Sequence, residues 1–103
     1  MKFNLTTRVD GVQVDLQERL GFTDHTDFRS LVGEVCETKP SRVVVDLAGV
    51  TAIDSAGLGL LVILNDRVKL HGGTVTLTRP SEVVARLLGV VEFEKIFAIE
   101  AAA

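Results

Sequence analysis

Hydrophobic and polar residues alternate with period two over residues 12–20, where Gln13, Asp15 and Gln17 separate Val12, Val14 and Leu16. That pattern is a strand with one wet face. Residues 3–9 form its partner across Asp10-Gly11, a hairpin signal that predicts a type I′ turn with positive φ. The period then changes. Phe28, Leu31, Val32 and Val35 recur at i, i+3, i+4 and i+7, one apolar stripe of a helix over about 24–38. Thr23 or Asp24 can cap its first turn, and Lys39-Pro40 ends it. The β-branched run at 42–47 predicts a central strand covered on both faces, with a short loop over 48–53. A second helix is predicted over about 55–71. Its first half is apolar nearly all round and is expected to be deeply buried. Asn65, Asp66, Arg67 and Lys69 mark the half that reaches water, and Gly72-Gly73 stop the helix. Thr74–Thr78 alternates as a strand. Pro80 and Ser81 open a third helix with Val83, Val84, Leu87 and Leu88 inside and Gly89 at its end. A last short strand is expected at 96–99, with the alanines beyond Glu100 frayed.

The order ββαβαβαβ implies an α/β fold with a largely parallel sheet and an antiparallel edge supplied by the opening hairpin. Four to five strands and three to five helices are expected, as one domain over 1–103 without linker or repeat. Composition adds exclusions. At 103 residues, 47% hydrophobic and 24% charged, the chain has material for a packed core and is not a disordered sequence. Cys36 is the only cysteine, which rules out an internal disulfide and a cysteine-built zinc cage; it reads as a small core residue. A net charge of −3 and an aromatic content of 5%, all phenylalanine, argue against nucleic-acid binding. The N-terminus lacks the apolar run of a signal peptide, and the longest apolar stretch, 56–64, is far short of the ~20 residues that span a bilayer. A cytoplasmic protein without membrane insertion is expected, as a monomer or a weak dimer through the hairpin edge.

Candidate chemistry concentrates at Asp54-Ser55-Ala56-Gly57-Leu58-Gly59, where the chain enters the second helix. Free N–H groups and the macrodipole favour negative charge at such a start. Each glycine there costs about 1 kcal/mol of helix propensity against alanine. Two explanations stand side by side: the glycines admit a neighbouring strand behind an ordinary N-cap, or they admit a ligand or partner. The stretch lacks the third glycine of a dinucleotide fingerprint, the chain has no Walker-type loop, and Ile53 stands where a nucleophile elbow needs glycine. His25, Asp24 and Asp27 fall within one helical turn but lack a well-spaced third ligand for a metal. No cofactor, metal or catalytic residue is expected.

Residues 43–59, Val-Val-Val-Asp-Leu-Ala-Gly-Val-Thr-Ala-Ile-Asp-Ser-Ala-Gly-Leu-Gly, resemble the signature of STAS domains, in particular bacterial single-domain anti-sigma-factor antagonists. The resemblance runs on through Gly72-Gly73, the strand after it and the helix after Pro80, and covers the N-terminal third by topology. It implies a non-enzymatic phospho-switch. Ser55, directly after the aspartate, would be phosphorylated by a partner that is both serine kinase and anti-sigma factor, the unmodified form would bind that partner, and a serine phosphatase would reset the switch. The implied partner-binding residues are Asp54, Ala56, Gly57, Leu58 and Gly59, with Thr23, Asp24 and His25 supplying a polar part. The family pattern carries a glycine and an aspartate at the end of the second strand, where this chain has Glu18 and Gly21. Two other readings share the motif: a non-switching STAS subunit docking the ATPase of a phospholipid-transport ABC complex, and a small-molecule or nucleotide sensor.

Overall fold

The computed structural model describes residues 1–101. Its elements are β1 (Lys2–Arg8), β2 (Gly11–Leu20), a 3₁₀ turn (Phe22–Asp24), α1 (His25–Glu37), β3 (Arg42–Ile53), α2 (Ser55–Lys69), β4 (Thr74–Thr78), α3 (Glu82–Val90), a second 3₁₀ turn (Phe93–Lys95) and β5 (Ala98–Glu100). One five-stranded sheet runs in the order β1-β2-β3-β4-β5. β1 is antiparallel to β2, and every later pair is parallel. Each parallel step moves one strand in the same direction, so right-handed crossovers put all three helices on one face. On that face Val14, Val45 and Leu77 stand in register across the sheet and belong to a single buried cluster with Phe28, Leu61 and Leu88.

The opposite face carries Asn4, Gln13, Asp15, Asp46 and Thr78. The expectation that residues 42–47 are covered on both faces is therefore corrected: Val43, Val45 and Leu47 are buried, while Val44 is half-exposed. Asp46 is 7% exposed on the polar face because Arg79 pairs with it and Ala48 N–H donates to it at 2.9 Å. Burial pushes the Asp46 carboxyl up, but the Arg79 guanidinium and the Ala48 N–H together outweigh it and hold the group below its ordinary value of 3.8.

The strand β3 absorbs the predicted loop 48–53. Its pairing with β2 shifts register twice, between Asp15 and Gln17 and between Glu18 and Arg19, each time with one extra residue on β3. Two bulges break the period-two alternation that a strand is read from. The hairpin stands, but neither Asp10 nor Gly11 has positive φ. Gly11 is needed because a Cβ there would overlap the Arg42 carbonyl where β3 begins.

Helix ends differ in the same local way. Asp24 occupies the N-cap position of α1 without capping it through its side chain. Lys39, at φ 50, turns the chain out of α1 in the left-handed region. Ser81 caps α3 as predicted, accepting from Val84 N–H at 3.2 Å. Gly89 does not end α3: the helix runs to Val90, and Glu92 at φ 57 makes the turn. Val83 is exposed on α3, and β5 is confined to Ala98–Glu100 because Phe93–Lys95 form a 3₁₀ turn. The expected fraying beyond Glu100 falls largely on residues outside those described.

The first half of α2 is not buried all round. Leu60 and Leu61 are buried, Leu58 and Val62 are half-buried, and Ile63 is 41% exposed. Asn65, expected in water, is 2% exposed and its Oδ1 has no partner among the described residues. An unpaired buried carbonyl keeps its desolvation penalty. Asn65→Leu is therefore expected to raise stability by about 1 kcal/mol, read as a higher midpoint in urea with an unchanged slope.

Candidate functional site

Strands β2 and β3 end side by side, with Leu20 paired to Ile53. The chain leaves both at one point, where two bonds tie the exits together and a third caps α2. Asp54 N–H donates to the Leu20 carbonyl at 3.2 Å. One oxygen of the Asp54 carboxylate accepts from Gly57 N–H at 2.8 Å and caps α2. The other accepts from Phe22 N–H at 3.2 Å. A Cβ on Gly21 would press on that carboxylate, so glycine here makes room for the bond. The N–H groups of Gly57 and then Phe22 hold the Asp54 carboxyl below its ordinary value of 3.8, with the Arg19 charge assisting.

Around this clamp the structure places the predicted residues unequally. Ser55 is exposed as the first residue of α2. Ala56 and Leu58 are half-buried, and Gly57 is buried because a Cβ there would overlap the Leu20 carbonyl. Gly59 is exposed, and a Cβ on it would meet nothing within 4 Å. Close approach thus explains one glycine and leaves the other without an intramolecular reason. Thr23 and His25 are exposed beside the start of α2, whereas Asp24 is buried. Its carboxylate accepts from Gly21 N–H at 2.8 Å and from the Met1 amino group at 2.9 Å. Asp24 holds the turn that presents its neighbours.

Two residues outside the expected site residues belong to this face. Phe22 is 78% exposed at the head of the 3₁₀ turn. With Arg19, Thr23, Thr51 and Asp54 it lines an open cleft of about 570 Å³. Its one sequence signal is that it falls outside both the alternation of β2 and the apolar stripe of α1. Glu18 adopts φ 69 at the second bulge. This chain holds a left-handed backbone there without glycine and accepts a strain of about 1–2 kcal/mol.

Chemically, the Ser55 hydroxyl stands at a helix start beside a carboxylate that is already bonded to two N–H groups. A carboxyl held acidic by those bonds is a weak general base. The arrangement suits a hydroxyl that receives a group from another molecule rather than one that attacks by itself. Among the described residues no group of three His, Cys, Asp or Glu is placed to hold a metal, and no helix is long and apolar enough to cross a membrane.

The depressed carboxyls of Asp46 and Asp54 set an acid response. A group whose folded pKa lies below its unfolded one contributes stability above the unfolded value and loses it as pH falls through the folded value. Stability is expected to be flat from pH 7 to 5 and to drop below about pH 4. Asp46→Asn removes part of that slope and costs about 1 kcal/mol at pH 7, since its Arg79 partner is half-exposed. Urea unfolding of both proteins from pH 7 to 3 checks this; an unchanged acid slope contradicts it.

The comparisons with known proteins agree with this architecture. The family model for the STAS domain matches residues 2–102. A STAS-domain containing protein of Pseudomonas aeruginosa (strain UCBPP-PA14) is 36% identical over 86 residues, 84% of each chain. A Thermotoga maritima protein proposed to be an anti-sigma factor antagonist superposes with a TM-score of 0.85 at 25% identity, over 97% of this chain and 86% of that one. The Bacillus cell fate determinant SpoIIAA in its phosphorylated form gives 0.73 at 16% identity, over 98% and 92%.

Proposed function

Since the chain belongs to the STAS domain family, a regulatory and non-enzymatic one, we propose that it is an anti-sigma-factor antagonist-like regulator, a single STAS domain over 1–103. It binds a partner that is both anti-sigma factor and serine kinase through the face around Ser55, and phosphorylation of Ser55 turns that binding off. A serine phosphatase restores it. The observation that carries this reading is the division of labour at the helix start: Asp54 is committed to Gly57 and Phe22, while Ser55 beside it stays exposed. A phosphate at that position meets the positive end of α2, which favours it by about 0.3–1 kcal/mol, so the fold tolerates it. In a docked interface the same group is desolvated, so the complex does not. Half-buried Ala56 and Leu58, exposed Thr23 and His25, and the open cleft beside Phe22 give a partner both apolar and polar contacts.

The test is direct. The protein is incubated with its cognate serine kinase and ATP, and the product is mapped by mass spectrometry. One phosphate on Ser55, absent from Ser55→Ala, supports the proposal; modification elsewhere, or none, overturns it.

A further inference from the structure

The surface between α1 and α2 has features that the Ser55 switch does not use. Helices in successive right-handed β-α-β units run side by side in the same direction, so both start at the site end. On α1, His25, Arg29 and Gly33 recur every four residues; on α2, Ser55, Gly59, Ile63 and Arg67 do the same. Rows at this spacing are the ridges of a helix surface. Between them lies a cleft of about 380 Å³ lined by His25, Arg29, Val32, Gly33, Ile63 and Arg67. Its apolar lining is Val32, almost wholly buried, and Ile63, 41% exposed. Among the described residues, neither arginine has an ion-pair or hydrogen-bond partner, although Glu34 and Asp66 lie on the same helices. Two unpaired arginines thus line one cleft with Val32 and Ile63 in a chain whose net charge is −3.

Two glycines point the same way. Gly33 and Gly59 lie inside helices, where each costs about 1 kcal/mol against alanine. A Cβ on either would meet nothing within 4 Å, so packing within the chain does not require them. Of these two only Gly33 lines the cleft; Gly59 lies one turn before Ile63 on the α2 row that begins at Ser55, and Gly89, also open, is on α3. Bare backbone on both ridges lets another chain approach closely.

We infer that the α1/α2 groove docks a short acidic segment of the protein partner, with an apolar side chain seated on Val32 and Ile63 and carboxylates paired to Arg29 and Arg67. This rests on the proposed function and extends its face along the row that begins at Ser55. Charge complementarity chooses the occupant: a basic segment would be repelled, and an uncharged one would leave both guanidiniums unpaired.

The probes are a short Glu/Leu peptide and its Lys/Leu counterpart, titrated into the ¹⁵N-labelled protein. The Glu/Leu peptide is expected to shift the amides of Arg29, Gly33, Ile63 and Arg67, and the Lys/Leu peptide is expected to leave them unmoved. Arg29→Glu combined with Arg67→Glu should weaken the acidic peptide by at least roughly tenfold, as should raised salt. Equal binding of both peptides, shifts confined to another face, or full binding by the double variant overturns the inference. The readout is independent of phosphorylation: a protein that binds the acidic peptide but is never modified on Ser55 loses the switch and keeps the groove.

Discussion

Gly57→Ala is expected to destabilise the protein by roughly 1–3 kcal/mol and to disorder the site, while Gly59→Ala, two residues on, is expected to stabilise it by up to about 1 kcal/mol. Local propensity alone would make both changes favourable, because alanine is the better helix former. The surroundings decide the sign. A methyl on Gly57 overlaps the Leu20 carbonyl, a backbone group at the end of β2 that also accepts Asp54 N–H. Relief requires α2 to move off the sheet, which lengthens that bond and pulls the Asp54 carboxylate from Phe22. Overlap with backbone cannot be relieved by a rotamer change. A methyl on Gly59 meets open space. For a domain of this size the two effects amount to about 4–8 °C in Tm per kcal/mol, in opposite directions. Thermal unfolding of the two variants checks the pair, and equal shifts of one sign would contradict it. With the proposed docking along this ridge, Gly59→Ala is also expected to weaken partner binding, because the bare ridge is filled as the helix gains stability.

These two glycines show what the sequence could and could not convey. Both are anomalous in a helix, and the anomaly was legible. Which one faces a carbonyl depends on where β2 ends, and that is a long-range fact set by two bulges in β3. The same bulges made residues 48–53 read as a loop. Element order, the hairpin edge, the helix stripes and the Ser81 cap were legible because period and capping chemistry are local. The Asp54 clamp joins residues 32 apart in the chain, so no window of sequence contains it. Asn65 misled for a related reason: a polar side chain next to Asp66 and Arg67 reads as wet, yet its position on α2 turns it inward with Leu61 and Leu64. Glu18 shows that a left-handed backbone can persist where the residue type argues against it.

The largest effect expected on binding is at Ser55. A phosphate there adds about −1.5 to −2 charges and takes the net charge from −3 to about −5. If its desolvation costs the complex only about 3–4 kcal/mol, affinity falls several-hundredfold. Ser55→Asp carries one charge and fewer acceptor oxygens, so a smaller loss, roughly tenfold to a hundredfold, is expected from it. Ser55→Ala should bind as the unmodified protein does. None of these changes should lower Tm, because an anion at the first residue of α2 is favoured by the helix dipole and the Asp54 cap is untouched. Thr6→Asp serves as the control. It adds the same charge on the exposed far edge of the sheet, so a loss of affinity there would show that net charge, and not position, governs the partner. Isothermal titration of the proposed kinase partner against the unmodified, phosphorylated, Ser55→Asp, Ser55→Ala and Thr6→Asp proteins, with melting curves alongside, separates the cases. The switch predicts a binding loss confined to the charged Ser55 forms at constant stability; a Ser55→Asp protein that binds like wild type contradicts it.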